Sequence, residues 1–225
     1  MARLLSWVVA CGVVAAAAGC GSKPPTTITT DPPQALVAVN GESLGESPVQ
    51  ASFKFDKRKT HAITVSKTGY HDRTLRLSAD SPQIKNNKSN TIRLALPQDE
   101  AWNATRPSEA ANKWLRVQVN PRFDRQAMWQ ILVDAVTSRY SNIDTMDASS
   151  MYLKTIPVVK RFRHPDRGEL MIRTQFYGAI NSTDPLVYKV KIDSEVSDRS
   201  DQWTPYSRVF KEDADLVEEI QNRLK

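Results

Sequence analysis

Three patterns of apolar and polar positions divide the chain. Residues 4–18 are almost uninterruptedly apolar, broken only by Ser6, Cys11 and Gly12. Such a run is too short to cross a bilayer comfortably, which takes about 20 residues. From residue 26 to 97, apolar residues alternate with polar ones in short runs, the period of half-buried strands. Residues 35–39 form one run, closed by Asn40-Gly41, the strongest short-range hairpin signal. Alternation returns over 49–55, 61–67, 70–77 and 91–96, and residues 26–30 are rich in β-branched side chains. Turn residues separate the runs, at Gly45/Pro48, Asp56-Lys57, Thr68-Gly69 and Ser81-Pro82. This pattern predicts a small sandwich or barrel.

The second half reads differently. Residues 98–112 are polar and irregular apart from Trp102, and are expected to be a linker. Residues 115–119 alternate as a strand, and Asp124 then offers an N-cap for a helix to about Tyr140. Met128, Ile131, Leu132, Ala135, Val136 and Tyr140 recur at helical spacing and predict its buried stripe. Residues 151–159 are expected to form a strand. Residues 170–180 place Met171, Arg173, Gln175 and Tyr177 on one face, and 186–196 place Leu186, Tyr188, Val190 and Ile192 together. A last helix is expected from about 212 to 224, with Leu216, Val217, Ile220 and Leu224 inward. An antiparallel sheet with two helices on one face follows from that order.

Particular residues in the alternating region resemble a known family. Asp31-Pro32-Pro33-Gln34-Ala35 precedes Val37-x-Val39-Asn40-Gly41, then Leu44-Gly45-x-x-Pro48, then Ile63-x-Val65-x-Lys67-x-Gly69-Tyr70. In order and spacing these are similar to the PEGA domain, although Pro33-Gln34-Ala35 lacks the glycine of the family's tetrad. The resemblance implies a small β-sandwich of bacterial surface and envelope proteins, a spacer or interaction module without catalytic residues. The second half, by order of elements alone, resembles the helix-grip domains of BamC-like lipoproteins, which serve the assembly of outer-membrane proteins.

Charge and cysteine usage change the reading of the first segment. Arg3, the short apolar run and the small residues Ala17-Ala18-Gly19-Cys20 make a secretory signal. The last four resemble a lipobox, in which a cysteine is acylated and becomes the new N-terminus, although Ala17 stands where Leu is favoured. Val8-Val9-Ala10-Cys11 also fits, but leaves too few residues for a signal. Cleavage before Cys20 removes Cys11 and leaves one thiol, at the first residue of the mature chain. A leftover thiol in an exported protein points to a use for it. Several acyl chains on Cys20 anchor a protein stably where one binds only marginally. Gly21, rather than Asp, follows the cysteine, which in enterobacterial sorting directs a lipoprotein to the outer membrane. Residues 21–27 are then a polar, proline-containing tether.

The net charge of +6 is mild for 225 residues. Its tightest cluster, Lys160-Arg161-Phe162-Arg163-His164, is expected at a hairpin end, and no nucleic-acid partner is implied. His61, His71 and His164 have no Cys or carboxylate at metal-ligand spacing, so neither metal nor cofactor is implied. Neither a Gly-x-Ser-x-Gly elbow nor a phosphate loop is present. Asp144, Asp147, Asp193 and Glu195 are the acids best placed for paired-carboxylate chemistry, and scattered surface acids account for them equally. Among the tryptophans, Trp203 beside Pro205 and Tyr206 is the one expected to be exposed.

The expected architecture is mostly β plus α+β. A signal peptide (1–19) precedes a lipidated tether (20–27), a β-sandwich (28–97), a linker (98–112) and an α+β domain (113–225). The expected function is a non-catalytic envelope lipoprotein, held to a membrane through Cys20 and facing the periplasm or outside, that presents an interaction domain to an envelope protein partner. The alternative is a peptidoglycan- or polysaccharide-binding lipoprotein whose contacts are Trp203, Tyr206, Arg161 and Arg163.

Overall fold

A computed structural model describes residues 25–55, 59–166, 168–198 and 202–225. The signal segment, Cys20, most of the tether and the Asp56-Lys57 turn lie outside the described residues. The first unit contains β1 (Thr26–Asp31), β2 (Leu36–Val39), β3 (Glu42–Glu46), β4 (Val49–Ala51), β5 (His61–Ser66), β6 (Arg73–Leu77), the short α1 (Pro82–Lys85) and β7 (Thr91–Ala95). Two sheets face each other, one in the order β4-β1-β7 and the other β3-β2-β5-β6. Ile28, Ile92 and Leu94 of the first sheet meet Val37, Ile63, Val65 and Leu77 of the second in one buried cluster. The expected sandwich is therefore present, and β1 begins within the stretch read as tether.

Local chemistry explains the β2–β3 hairpin. Asn40 and Gly41 both take positive φ (53° and 87°), the conformation that a two-residue turn with the right twist requires. The Asn40 side chain adds a cross-strand tie. Its Oδ1 accepts from Ala62 N–H at 2.9 Å, and its Nδ2 lies 2.9 Å from His61 Nδ1. His61 Nε2 lies 3.1 Å from the Lys54 carbonyl, which can only accept. The proton therefore sits on Nε2, and Nδ1 accepts from Asn40. His61 is buried between Phe53 and Phe55, so its role is structural.

The expected linker is a folded connector. Asp99 caps α2 (Glu100–Ala104) by accepting from Trp102 N–H, and β8 (Thr105–Pro107) follows directly. Ala110 and Ala111 are buried in the second core. That second unit comprises β9 (Leu115–Gln118), α3 (Arg125–Thr137), β10 (Ile143–Asp147), β11 (Tyr152–Thr155), β12 (Val158–His164), β13 (Gly168–Thr183), β14 (Leu186–Ser197), β15 (Thr204–Pro205), β16 (Arg208–Phe210) and α4 (Lys211–Leu224). Seven strands make one antiparallel sheet, with β13 and β14 at its centre. β16 pairs instead with β8 of the connector.

Both helices cover one face of that sheet, as expected. Met128, Leu132 and Val136 of α3 and Leu216, Val217 and Ile220 of α4 pack with Leu153, Phe176, Tyr188, Val190 and Ile192. Asp124 caps α3, accepting from Ala127 N–H at 2.7 Å. The stretch 151–159 is two strands rather than one. Ile156 and Pro157 break it, and proline has no N–H to continue a ladder. β10, whose side chains are largely exposed, has no alternating apolar signature.

One ionisable pair is enclosed beneath the helices. Asp213, 6% exposed, accepts from the Tyr140 hydroxyl at 2.6 Å. Burial pushes its carboxyl above the ordinary value, against the opposing pull of the Tyr140 hydrogen bond. A raised folded-state pKa means that stability is fully present below the unfolded-state value and is lost as pH rises through the folded one. Asp213→Asn keeps an acceptor for Tyr140 and removes the buried charge. It is expected to raise stability at pH 7 by about 1 kcal/mol. The gain should shrink as pH falls through the raised folded-state value and be gone below about 4, where the carboxyl is protonated in both states. Urea unfolding at both pH values checks this.

Candidate functional site

The face of the seven-stranded sheet that carries no helix is where polar chemistry gathers. Strand alternation sends Phe176, Tyr188, Val190 and Ile192 inward, so Arg173, Gln175 and Tyr177 of β13 and Lys191, Asp193 and Glu195 of β14 face outward. Register places Tyr177 opposite Lys191, Gln175 opposite Asp193 and Arg173 opposite Glu195. Cross-strand and same-strand pairs then form. Arg173 Nε donates to Glu195 Oε2 at 2.5 Å, and Lys191 Nζ lies 2.8 Å from Asp193 Oδ1.

Hydrogen bonds to the framework hold this surface. Gln175 Nε2 donates to the Thr155 carbonyl at 2.6 Å, and the Tyr177 hydroxyl donates to Gln175 Oε1 at 2.7 Å. Asn112, at φ 56°, accepts from Ser194 N–H at 2.8 Å and donates to the Ser194 and Tyr206 carbonyls at 3.0 and 2.8 Å. Asn112, Pro157 and Pro205 edge a concavity of about 480 Å³ floored by the outward β13 and β14 side chains.

Tyr177 lines this concavity, and two further aromatic rings, Trp203 and Trp114, lie on the same face beyond it. The Arg173 guanidinium stacks over Trp203 at 4.2 Å from the ring centroid. Lys191 Nζ sits 4.6 Å from the Tyr177 centroid and 5.4 Å from that of Trp114. Trp114, just ahead of β9, is 43% exposed. Trp203, expected to be the exposed tryptophan, is instead half-buried against Arg173, and among the described tryptophans Trp102 and Trp114 are the exposed ones. The place of Trp114 beside Lys189 and Lys191 depends on β9 pairing with β14.

The residues that the sequence grouped as contacts are not brought together. Trp203 lies on the helix-free face. Tyr206 packs against the cluster of Ala101, Ile172 and Phe210, and Ile172 points to the opposite face from Arg173. Arg161 and Arg163 sit on the β12–β13 hairpin, where Arg161 lies 3.5 Å from Glu169. Arg163 lines a separate hollow between the two units, with His71, Gln98, Glu100 and His164. The His71 and His164 rings meet edge to face, with centroids 4.6 Å apart.

Each of the four acids singled out in the sequence is tied to a neighbouring group, and two of them have a lowered pKa. The Lys154 hydrogen bond lowers that of Asp144, and hydrogen bonds from Ser149 and Ser150 hold Asp147 at about 2. Asp193 and Glu195 are each ion-paired to a neighbouring cation. Among the described residues, no group of three or more His, Cys, Asp or Glu side chains stands ready for a metal ion, and no helix is long and apolar enough to cross a membrane.

The sandwich carries the turns that the family resemblance rests on, each at a position its backbone explains. Gly69, at φ +83°, gives its carbonyl to Asp99 N–H at 2.9 Å, so the Lys-x-Gly-Tyr turn receives the connector. The Lys67 ammonium reaches back to the Pro33 carbonyl. The PEGA domain family matches residues 25–97. No curated protein matches the chain. The PEGA module thus ends where the folded connector begins, and the outward-facing site belongs to the half of the chain beyond it.

Proposed function

We propose that this protein is a lipid-anchored, non-catalytic component of a bacterial cell envelope, in which the PEGA module spaces and presents the C-terminal α+β domain to an envelope partner. The observation that carries the reading is the PEGA match at residues 25–97, directly after a segment with the pattern of a lipoprotein signal ending at Cys20. PEGA modules suggest extracytoplasmic interaction rather than catalysis, and a signal that exports the chain agrees with that. The connector supports the presenting role, because it is fastened to both units instead of being a free tether. Gly21 after the cysteine favours the outer membrane, and the helix-grip resemblance of the second half fits service to a larger envelope assembly.

Labelling with palmitate tests the anchor. The full-length protein is expected to incorporate label and to sediment with membranes, whereas Cys20→Ser should lose both. A Cys20→Ser protein that is still labelled and still membrane-bound would exclude this anchor. Crosslinking from the anchored protein is expected to capture a defined envelope protein, and substitutions on the PEGA module should leave that capture intact.

A further inference from the structure

We propose that the helix-free face of the C-terminal sheet binds a neutral oligosaccharide. The concavity of about 480 Å³ is within the usual range of ligand sites, and its floor consists of strand residues rather than loops. Charge balance selects the ligand class. Around the concavity Arg173 is matched by Glu195 and Lys191 by Asp193, while Lys154 at its edge is matched by Asp144; Lys189, against Trp114, lies outside these pairs. A polyanion such as nucleic acid or an acidic glycan would have to displace these carboxylates from their cations, and phosphate binding rests on cations free to release counterions. A neutral polyol meets no such cost.

What the balanced pairs leave available suits hydroxyl groups. The second oxygen of the Glu195 carboxylate, the second Nε2 proton of Gln175 and the lone pairs of the Tyr177 hydroxyl are donors and acceptors at fixed positions. Aromatic faces supply the rest. Their negative π surfaces attract the weakly positive C–H edges of a sugar ring, as they attract the cations already stacked there. Trp203 is stacked on Arg173, four residues from Tyr177 along β13, a separation of about 13 Å at roughly 3.3 Å per residue. Trp114 extends the line past Lys191. The spread of three rings favours a chain of several sugars over a monosaccharide.

The test titrates detergent-solubilised full-length protein with two neutral probes, N-acetylchitotetraose and cellotetraose, followed by calorimetry and tryptophan fluorescence. Saturable binding of at least one probe is expected. Trp203→Ala and Trp114→Ala should each weaken it about tenfold, the loss of one stacked ring. Gln175→Ala, which removes a polar contact and no ring, should weaken it about threefold, near the net value of one hydrogen bond. Raising salt from about 0.15 M to about 1 M, which shortens the screening length from about 8 Å to about 3 Å, should leave the affinity within about twofold. Binding of neither probe would overturn the proposal, as would binding undiminished in both tryptophan variants or affinity that collapses with salt. Membrane anchoring through Cys20 is read separately, so either idea can fail alone.

Discussion

Arg208→Ala is expected to destabilise the C-terminal unit by about 3 kcal/mol and to expose the connector to protease, because it removes the side chain that fastens the connector to β16. Arg208 is buried, 9% exposed. Its Nε donates to Thr105 Oγ1 at 3.0 Å, and its Nη2 donates to the Trp102 and Thr105 carbonyls at 3.1 and 2.6 Å. The guanidinium also lies 3.6 Å from the Trp102 ring centroid. Truncation deprives the enclosed Thr105 carbonyl and hydroxyl of a donor, at roughly 1–3 kcal/mol for each group left unsatisfied. It also strips the Trp102 ring of its stacking partner. Arg208→Lys should recover less than half of the loss, since an ammonium can neither fork to three oxygens nor lie flat on a ring.

The consequence reaches the PEGA module through the same tryptophan. A Cβ placed on Gly69 would lie 3.5 Å from Trp102 Cδ1, so the Lys-x-Gly-Tyr turn and Arg208 approach this indole from opposite units. Losing Arg208 should therefore loosen the seat of the module as well as the C-terminal fold. Limited proteolysis is expected to cut first within residues 98–107, well below the denaturant concentration that unfolds either core. Cleavage elsewhere first, or unchanged urea midpoints, would contradict this role.

How much of this was legible in the sequence depends on whether a feature is local. Alternation revealed the strands of the sandwich other than β3 and both long strands of the sheet, and Asp124 announced α3 three residues before the amide it caps. Exposed edge strands left little trace. β3, Glu-Ser-Leu-Gly-Glu, has one apolar side chain to alternate. The connector carried a readable signal, Asp99 three residues ahead of the Trp102 amide it accepts from, in a stretch otherwise taken as irregular. Pairing of β8 with β16 joins segments about a hundred residues apart and leaves no local pattern. The site divides the same way. Alternation put Arg173, Gln175 and Tyr177 on one face, whereas Trp114 and Trp203 reach that face only through the order of strands. Tyr206 shows the limit of proximity in sequence. It is three residues from Trp203 yet packs against the cluster on the opposite side of the sheet.

Gly178→Ala is expected to cost about 3 kcal/mol, at the upper end of overpacking, although the backbone itself would accept alanine. Gly178 lies at the centre of the sheet, opposite Val190 on β14 and Leu153 on β11. It is in ordinary extended conformation, where exchanging glycine for alanine alone would stabilise by roughly 0.5–1 kcal/mol. The obstacle is Tyr188. An added Cβ would lie 2.9 Å from its Cε1 and closer still to its hydroxyl. The ring cannot retreat, because Tyr188 is fully buried and its hydroxyl donates to the Met151 carbonyl at 3.2 Å. Glycine at 178 is thus the complement of tyrosine at 188. Tyr188→Phe alone should cost about 1 kcal/mol, the net value of the hydrogen bond to Met151. Combining the two changes removes the oxygen that meets the new methyl, so the double variant should be more stable than the sum of the singles by about 1–2 kcal/mol. Additive losses in a double-mutant cycle would show that the crowding lies elsewhere than at the hydroxyl.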